Sequence, residues 1–600
     1  METRLSTSGI SDPNGNSISY SGTNPYTFTD TLGQPTITRS TSSSQETDTW
    51  TDALSNNHSV QLNYSAYTLL TSFGCAADQT TPTSNAMFPT SVSFPDGSSL
   101  SFTWETNYSN SSYHTGRLSS ITLPTGGKIT YAYTDGTNGI NCADGTPAKM
   151  TRTTPDGQWT YTHSVGTTTV TDPQGNNTVY TFVSVAQPSG SALAYSPLWM
   201  ETEKQVYNGS VSPTNLIQTV ITCYNNTSST PTNCNPSALT LPILEKDVYT
   251  TYPNVTGYSA VKTAYDTYGR VSDVKTYDFS LVLVNEKAIQ YGTGSPSSQS
   301  CTAITGAPIS QYIIDKPCSI TLYASQNNNA ILSQTWNSYD SYGNLAQTWN
   351  LVSGSGSSGT YLSKQYSYDG HGVVQTMNDV NGQKMNYTTT SCNSMFVTSL
   401  YPTNFSNLQT SQTWACNGGV VTSSTDANSQ ITHTDYFVNS TTDPFYRPVQ
   451  TRDQLNNVTS LSYTPNSTES AFSFNGGSSI IDTLSTTDSI GRPVVAQLRQ
   501  GPGSSNWDTR SRSFDADGRS YQTSLTCVTT TKGTGCSAST ESQTYDGLNR
   551  PRIHTGTGGD VVTKTYPAND VLTTLTPAPT GENPKAVQKE FDGLGRLKSA

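Results

Sequence analysis

The sequence is poor in both charged and hydrophobic residues. Over 600 residues, charged side chains make up 12% and hydrophobic ones 32%. No apolar run approaches the roughly 18 residues that a membrane-spanning helix needs, so we expect no membrane span. There are 30 Lys and Arg against 42 Asp and Glu, a net charge of −12. A chain this acidic has no basic stripe to neutralise phosphates, which argues against nucleic acid as a partner.

Catalytic and metal-binding motifs are missing as well. No His-Glu-x-x-His, Cys-x-x-Cys or Gly-x-Ser-x-Gly pattern occurs, and the six His are not paired at ligand spacing. Asp515-Ala516-Asp517-Gly518 is slightly similar to a calcium loop but lacks the later bidentate Glu. We therefore predict a protein that is not an enzyme, with no catalytic residue, metal or cofactor.

Aromatic and turn-forming residues, by contrast, are abundant. The chain holds 35 Tyr, 15 Phe and 8 Trp, together with 46 Gly and 31 Pro. Ile129, Tyr131 and Tyr133 alternate with small or polar residues, a period of two that is typical of a strand with one packed face. Disordered chains are poor in aromatics, so this composition instead predicts an all-β fold with frequent turns.

One six-residue pattern recurs: an aromatic, Asp, two free positions, Gly and a long hydrogen-bond donor. The Asp can accept from the backbone N–H two residues on, and the Gly can adopt the positive φ that returns the chain as a hairpin. Asn549 stands in the Gly position of one copy. The residues of these predicted turns are Tyr265, Asp266, Gly269 and Arg270; Tyr339, Asp340 and Gly343; Tyr368, Asp369 and Gly372; Asp488, Gly491 and Arg492; Phe514, Asp515, Gly518 and Arg519; Tyr545, Asp546 and Arg550; and Phe591, Asp592, Gly595 and Arg596.

The shorter core of the pattern, Asp-x-x-Gly, extends from end to end of the chain. Further copies begin at Asp12, Asp30, Asp172 and Asp379, and degenerate copies run from Asp426 to Ser429, Asp443 to Tyr446 and Asp453 to Asn456. The next residue is nearly always Arg, Asn or Gln. These donors could form a sugar-binding ladder, or each could reach a turn Asp or carbonyl on a neighbouring layer. Regular recurrence favours the structural interpretation.

The form of the repeat changes along the chain, although the amino-acid composition does not change sharply. Residues 1–260 carry divergent β-hairpin repeats with turns such as Thr154-Pro155-Asp156-Gly157, and residues 261–600 carry the Tyr-Asp form. Each hairpin unit is expected to contact mainly its neighbours, as in other repeat arrays. We expect the array to continue beyond Ala600, since a strand should follow the turn at Asp592.

The ten cysteines predict disulfides in an oxidising compartment. Sequential pairing closes short loops within Ser/Thr/Gly-rich segments, although sequence alone does not fix connectivity. Cys75 with Cys142 is the weakest such pair. The other candidates are Cys223 with Cys234, Cys301 with Cys318, Cys392 with Cys416, and Cys527 with Cys536.

The tandem Tyr-Asp-x-x-Gly-Arg units, some followed by Pro as in Arg492-Pro493 and Arg550-Pro551, resemble the YD repeats of the rearrangement-hotspot (RHS) family. That family includes the shells of insecticidal toxin complexes and the teneurins. The resemblance implies tandem β-hairpins that form a spiralling sheet or a partial cocoon-like shell. It further implies a C-terminal effector or toxin, which would lie outside residues 1–600. The core segment that ends bacterial shells is not matched before Ala600.

We therefore predict the structural shell of an exported or cell-surface YD-repeat protein, which encloses or presents its own C-terminal cargo. Two alternatives stay open from the sequence. One is an adhesin whose aromatic sheet binds cell-surface glycans. The other is a β-helical enzyme that degrades polysaccharides, which would need a pair of carboxylates that the sequence does not single out.

Overall fold

The structure is a computed structural model of the 600-residue chain. It describes residues 4–6, 9–76, 78–137, 139–142, 145–185, 198–225, 231, 239, 241–305, 313–324, 330–439, 441–578 and 580–600. Strands dominate throughout, and the described helices are single 3₁₀ turns. These turns are Gly356–Ser358, Cys392–Ser394, Ser406–Leu408 and Asn475–Gly477.

The first half of the chain forms one hairpin after another. Its strands are β1 (Arg4–Ser6), β2 (Gly9–Ser11), β3 (Ser17–Ser21), β4 (Tyr26–Thr29), β5 (Pro35–Thr41), β6 (Gln45–Thr51), β7 (Asn57–Leu69), β8 (Thr83–Ser93), β9 (Ser99–Thr106), β10 (His114–Thr122), β11 (Lys128–Thr134), β12 (Lys149–Thr153), β13 (Gln158–Ser164), β14 (Thr167–Thr171), β15 (Asn177–Val185), β16 (Leu198–Tyr207), β17 (Leu216–Tyr224), β18 (Glu245–Thr251), β19 (Ser259–Tyr265), β20 (Val271–Tyr277) and β21 (Leu283–Tyr291).

The second half continues in the same way. Its strands are β22 (Thr293–Gly294), β23 (Cys301–Thr302), β24 (Pro317–Ala324), β25 (Ile331–Tyr339), β26 (Leu345–Ser353), β27 (Thr360–Tyr368), β28 (Val374–Asn378), β29 (Lys384–Thr388), β30 (Ser399–Pro402), β31 (Thr410–Ala415), β32 (Val420–Thr425), β33 (Ile431–Asp435), β34 (Phe437–Val438), β35 (Thr441–Thr442), β36 (Gln450–Arg452), β37 (Val458–Thr464), β38 (Ser467–Phe474), β39 (Ser479–Thr487), β40 (Pro493–Arg499), β41 (Trp507–Phe514), β42 (Ser520–Ser524), β43 (Cys527–Thr529), β44 (Thr540–Tyr545), β45 (Pro551–Thr555), β46 (Val561–Thr565), β47 (Val571–Thr576), β48 (Lys585–Phe591) and β49 (Leu597–Ser599).

Among the described residues, 45 of these strands form a single sheet, and the other four form the side hairpins β22–β23 and β34–β35. Neighbouring strands of the sheet are antiparallel, so successive turns lie on opposite edges. The all-β prediction is confirmed. The sheet passes residue 260 without a break, because β19 pairs with both β18 and β20. The division at residue 260 therefore stays a prediction about repeat type.

The Asp turns set the register of the hairpins. Tyr339 pairs with Leu345, and Phe514 with Ser520, each after a one-residue register shift next to the turn. This is the bulge expected where a type I turn is followed by a residue at positive φ. Gly343 has φ 81° and Gly518 φ 83°. Asn549, the predicted stand-in for Gly, has φ 61°.

The sheet winds over itself. Hydrogen bonds join turns that are 330 to 394 residues apart in sequence, so the chain returns to the same edge after about that length. We call β2 to β21 the first winding and β25 to β49 the second winding. The line along which a row of turns from each winding meets is called the seam.

The core is thin because a single sheet has little interior. The main buried apolar cluster comprises Cys223, Tyr249 and Ala260 on β17 to β19, with Ile221 and Tyr277 packed against it. Few other large apolar side chains are fully buried in the described residues, which fits the 32% hydrophobic content. The turn residues and the seam must therefore supply much of the order that a deep core would otherwise give.

Replacing Gly491 by Val tests the turn geometry. Gly491 has φ 89°, and an added Cβ would meet nothing within 4 Å, so the cost is purely conformational. We expect a loss of about 1–2 kcal/mol in urea denaturation. Gly503→Val is the matched control, because Gly503 also has open space around it but no positive φ. Equal effects of the two changes would contradict the turn assignment.

Candidate functional site

Each repeat turn is built around one Asp carboxylate. In the turn from Asp266 to Arg270, Oδ1 accepts from the N–H of Tyr268 (2.9 Å) and of Arg270 (3.0 Å). Oδ2 accepts from Arg270 Nε at 2.7 Å. The Gly269 N–H donates to the Asp266 carbonyl at 2.9 Å, which closes the turn. One side chain thus binds both sides of the turn.

The same clamp recurs at the other sequence-predicted turns. Arg492, Arg519, Arg550 and Arg596 each donate Nε to the Asp four residues earlier, at 2.6 to 2.8 Å. Where Asn replaces Arg, the shorter amide makes the bond, as from Asn344 to Asp340 at 3.0 Å. Turns with this geometry at Asp52 and Asp278 were missed, because Ser55 or Leu281 takes the Gly position.

These bonds lower the pKa of the Asp266 and Asp488 carboxyl groups. Burial alone would raise the pKa of Asp266, but hydrogen bonds from the Arg270 side chain and from backbone N–H groups outweigh it, so this pKa lies below its usual value. The same holds for the pKa of Asp488, where burial is outweighed by the backbone and side chain of Arg492. Asp266 and Asp488 are therefore ionised at neutral pH and contribute stability that is lost only in strong acid.

Five of the turn Arg residues also couple their turn to the next one on the same edge. Each guanidinium lies over an aromatic ring of the following unit, an interaction that adds to the clamp. These pairs are Arg270 over Tyr291 (4.2 Å to the ring centre), Arg447 over Tyr463 (4.2 Å), Arg492 over Phe514 (3.8 Å), Arg519 over Tyr545 (4.8 Å) and Arg550 over Tyr566 (4.0 Å).

The tyrosine hydroxyl completes the link. Tyr291 donates to the carbonyl of Val271 at 2.9 Å, and Tyr545 to that of Ser520 at 2.7 Å. In both cases the acceptor is the residue directly after the stacked Arg. Tyr291, Tyr463 and Tyr566 were missed by the sequence analysis because no Asp follows them. An aromatic near a strand end 16 to 26 residues after each Arg is the signal that could have found them.

The predicted role of the donor slot needs correction. The sequence predicts that each donor bonds to a neighbouring layer. Most of the donors instead bond to the Asp of their own turn, which lies only four residues earlier. The outer nitrogens of several Arg side chains extend further, and the amides of Asn16 and Asn344 bond to the other winding as well as to their own turn. Arg492 reaches Asp156, Arg519 reaches the Asp546 carbonyl at 3.3 Å, and Arg270 reaches the Ile314 carbonyl.

The seam brings together the turns of the two windings. All of its contacts join an edge of the first winding to the edge of the second winding that carries most of the Arg turns. They are Asn14 with Asn344, Asn16 with His371, Leu32 with Asn393, Trp50 with Pro444, Asp52 with Thr442, Gly127 with Ser489, Asp156 with Arg492, Gln174 with Asp515, and Asn208 with Gly547. The Asp266 turn lies on the opposite edge and takes no part.

The strongest seam contact is the ion pair between Arg492 and Asp156. Arg492 Nη2 lies 2.7 Å from Asp156 Oδ1, and Nη1 lies 2.8 Å from Oδ2. The same guanidinium also binds Asp488 of its own turn and stacks on Phe514. Burial opposes the charge of Arg492, but the two carboxylates outweigh it and raise its pKa. The Arg492 side chain therefore bonds to its own turn, stacks on the ring of the next unit and crosses the seam to the other winding.

Asp52 forms a second, more deeply buried seam contact. It is 3% exposed and accepts from Thr442 Oγ1 of the second winding at 2.5 Å. His58 Nε2 lies 2.8 Å from the same oxygen, and Asn56 caps the turn. Burial would raise the pKa of Asp52, but these bonds, from Thr442 first, hold it far below the usual value.

Asp517 is the exception among the seam carboxylates. Neither of its oxygens has a hydrogen-bond partner in the described residues, although Arg519 Nη2 lies 2.8 Å away. Burial raises the pKa of Asp517 to about 6, helped by the charges of Asp172 and Asp515 and opposed by that of Arg519. At neutral pH this group is a buried charge without good partners.

The structure joins the predicted cysteines in sequence order. Cys301 and Cys318 are bridged with Cα atoms 5.9 Å apart, as are Cys392 and Cys416 (5.4 Å) and Cys527 and Cys536 (5.8 Å). Cys75 and Cys142, the weakest expected pair, are bridged at 5.2 Å. Cys223 is also disulfide-bonded, and Cys234 lies outside the described residues.

Comparison with known proteins finds likeness in structure only. No protein-family model matches the chain, and no curated protein does either. The crystal structure of TcdB2-TccC3-TEV is similar over 97% of this chain and 45% of its own, with 8% identity and a TM-score of 0.50. That of TcdB2-TccC3 covers 98% and 44%, with 9% identity and a TM-score of 0.42.

The class of fold follows from these findings together. The continuous antiparallel sheet of Asp turns, wound over itself, has the fold of the TcdB2-TccC3-TEV structure, and the resemblance to a YD-repeat shell is confirmed at the level of fold. The chain spans less than half the length of these two solved chains. No helix in the described part of the chain has the length and apolar character that crossing a membrane requires.

Replacing Arg492 by Gln should weaken the seam. The change leaves Asp156 largely buried without its partner, and we expect a loss of about 2–3 kcal/mol in urea denaturation. Arg596→Gln is the control, because Arg596 is 64% exposed and its charge partner is its own turn Asp592, so we expect less than about 1 kcal/mol. A double-mutant cycle with Asp156→Asn should show coupling, and additive effects would contradict the seam pair.

Replacing Asp517 by Asn should change the pH dependence of stability. The folded pKa lies above the unfolded value, so wild-type stability should rise as pH falls from 7 through 6 towards 4. Asn carries no charge, so the variant should melt higher than wild type at pH 8 and about equally at pH 4.5. Melting temperatures across this range measure the effect, and a variant that is less stable at pH 8 would refute it.

Proposed function

We propose that this chain is the wall of an exported or cell-surface shell that encloses or presents a C-terminal effector encoded beyond Ala600. The observation that carries the proposal is the seam. A sheet that only needed to be rigid would have no reason to bind its own later turns, whereas a wall that surrounds a space must close on itself. The fold likeness to TcdB2-TccC3-TEV supports a shell of this kind.

The chemistry of the wall supports a mechanical role. The carboxylates and guanidinium groups with the most contacts bond to one another within the turns, between successive turns and across the seam. We infer that the chain acts without catalysis, with its own cargo as partner. Arg-rich clamps and stacked rings give each turn several bonds, which suits a wall that must stay closed around a passenger.

The disulfides support export. Bridges of this number persist in oxidising surroundings and are rare in the reducing cytosol. Each stabilises by constraining the unfolded chain, by about 2–4 kcal/mol in typical proteins. We therefore place the shell outside the cell or on its surface.

A protease-sensitive passenger tests the proposal. A readily unfolded domain of known trypsin sensitivity, fused after Ala600, should be cleaved at least about 5-fold more slowly than the free domain, because the wall restricts access to it. The same fusion carrying Arg492→Gln and Asp156→Asn is the control, and opening the seam should restore much of the cleavage rate. Equal cleavage of the fused and free passenger would refute an enclosing role.

A further inference from the structure

One seam turn of the second winding follows an inserted hairpin and has a bulky residue in its Gly position. Between β33 and β36 the chain inserts the side hairpin β34–β35, and the turn that follows runs from Asp443 to Arg447. The Gly position of this turn is Tyr446, at φ 55°. A bulky residue in the left-handed region costs about 1–2 kcal/mol relative to Gly. Strain of this kind tends to persist where a function requires it.

Tyr446 is held by its neighbours. Its ring lies against the backbone at Gly418, where any side chain would collide with it. The Tyr436 ring is 6.4 Å from it, centre to centre. The Asp443 carboxylate is clamped by Arg447 at 2.7 Å, so the turn itself keeps the repeat geometry. The turn at Asp443 therefore differs from the other repeat turns in the Tyr446 side chain and not in its backbone geometry.

A cavity of about 530 Å³ opens beside this ring, between the two windings. Asp52 and Ser55 line it from the first winding, and His433, Asp435, Phe437 and Tyr446 are among its lining residues from the second. This volume lies within the usual range for small-molecule sites. The site is incomplete without both windings, because the seam contact of Asp52 with Thr442 holds its two sides together.

The lining combines aromatic faces with free polar groups. Phe437 is 45% exposed. The imidazole ring of His433 and the side-chain amide of Asn417 make no hydrogen bond to any other side chain that the structure describes. Both groups are therefore available to a ligand. Thr413, Thr422 and Ser423 add a cluster of hydroxyls. Aromatic faces beside hydroxyl, amide and imidazole groups suit a ring that has C–H faces and hydroxyl edges.

Other ligand classes fit less well. No Lys or Arg is among the described residues that line the cavity, which disfavours phosphates and other anions. No group of three or more His, Cys, Asp or Glu in the described residues could hold a metal ion. A purely apolar ligand is disfavoured because it would leave the His433 ring and the Asn417 amide without hydrogen-bond partners. The ligand class that fits the lining best is therefore a neutral ring that carries several hydroxyl groups.

We propose that the cavity between Asp52 of the first winding and Tyr446 of the second winding binds a neutral saccharide of one or two pyranose rings. The rings of Phe437 and Tyr446 stack on the sugar, and His433 and Asn417 bind its hydroxyls. This site is independent of any cargo, and it would let a shell of this type attach to a glycan-coated surface.

Binding of free sugars to the intact 600-residue chain tests the proposal. The probes are glucose, galactose, mannose, N-acetylglucosamine, maltose, cellobiose, lactose and diacetylchitobiose, measured by saturation-transfer NMR and calorimetry. At least one should bind with a dissociation constant below about 10 mM. No binding by any of them would overturn the proposal.

Two variants localise the site. Phe437→Ala should weaken binding about 10-fold. Tyr446→Gly should weaken it about 5-fold while raising the melting temperature or leaving it unchanged, because Gly relieves the positive φ. That combination separates loss of a ligand contact from loss of folding. Tyr268→Ala is the control, since Tyr268 is 66% exposed on a turn outside the seam. Unchanged affinity in both variants, or an equal loss in the control, would overturn the assignment.

Discussion

The structure depends on the hydrogen bonds that one short carboxylate accepts at each turn. In the Asp266 turn a single side chain accepts two bonds from the backbone and a third from the Arg that follows the turn. Because a one-layer sheet can bury little apolar surface, these polar clamps do much of the ordering that a core does elsewhere. Asp is the charged residue that is concentrated at the turns, while most Glu and Lys residues lie on strands.

The clamp matters beyond its own hairpin because Arg has more donors than the turn can use. The Nε side binds the turn Asp, the planar face lies on the aromatic ring of the next unit, and in Arg492 the outer nitrogens bind Asp156 of the other winding. One residue type thus links three levels of structure: turn, row and seam. Lys would supply the charge but neither the planar stack nor the paired bonds.

The two edges of the sheet carry different donor residues after their turns, so the two edges that meet at the seam differ in chemistry. In the first winding the seam edge carries Asn or Gln after the turn, as at Asn16, Gln34 and Asn176. In the second winding the seam edge carries mostly Arg. Short amides leave carbonyl and carboxylate acceptors open, and the longer Arg can reach them, so the rows are complementary. The strained Tyr446 stands where this pattern is interrupted and a cavity opens.

The sequence by itself determined the all-β class and most of the Asp turns with their positive-φ positions, because each is set by residues within a few positions or by a repeating pattern. It did not determine which edge a turn lies on, that Tyr291 and Tyr566 receive an Arg, or that Asp52 meets Thr442. Those facts depend on how far the sheet twists before it returns, a sum of small angles over more than 300 residues. Only the tertiary structure decided them, and with them the seam and the cavity beside Tyr446.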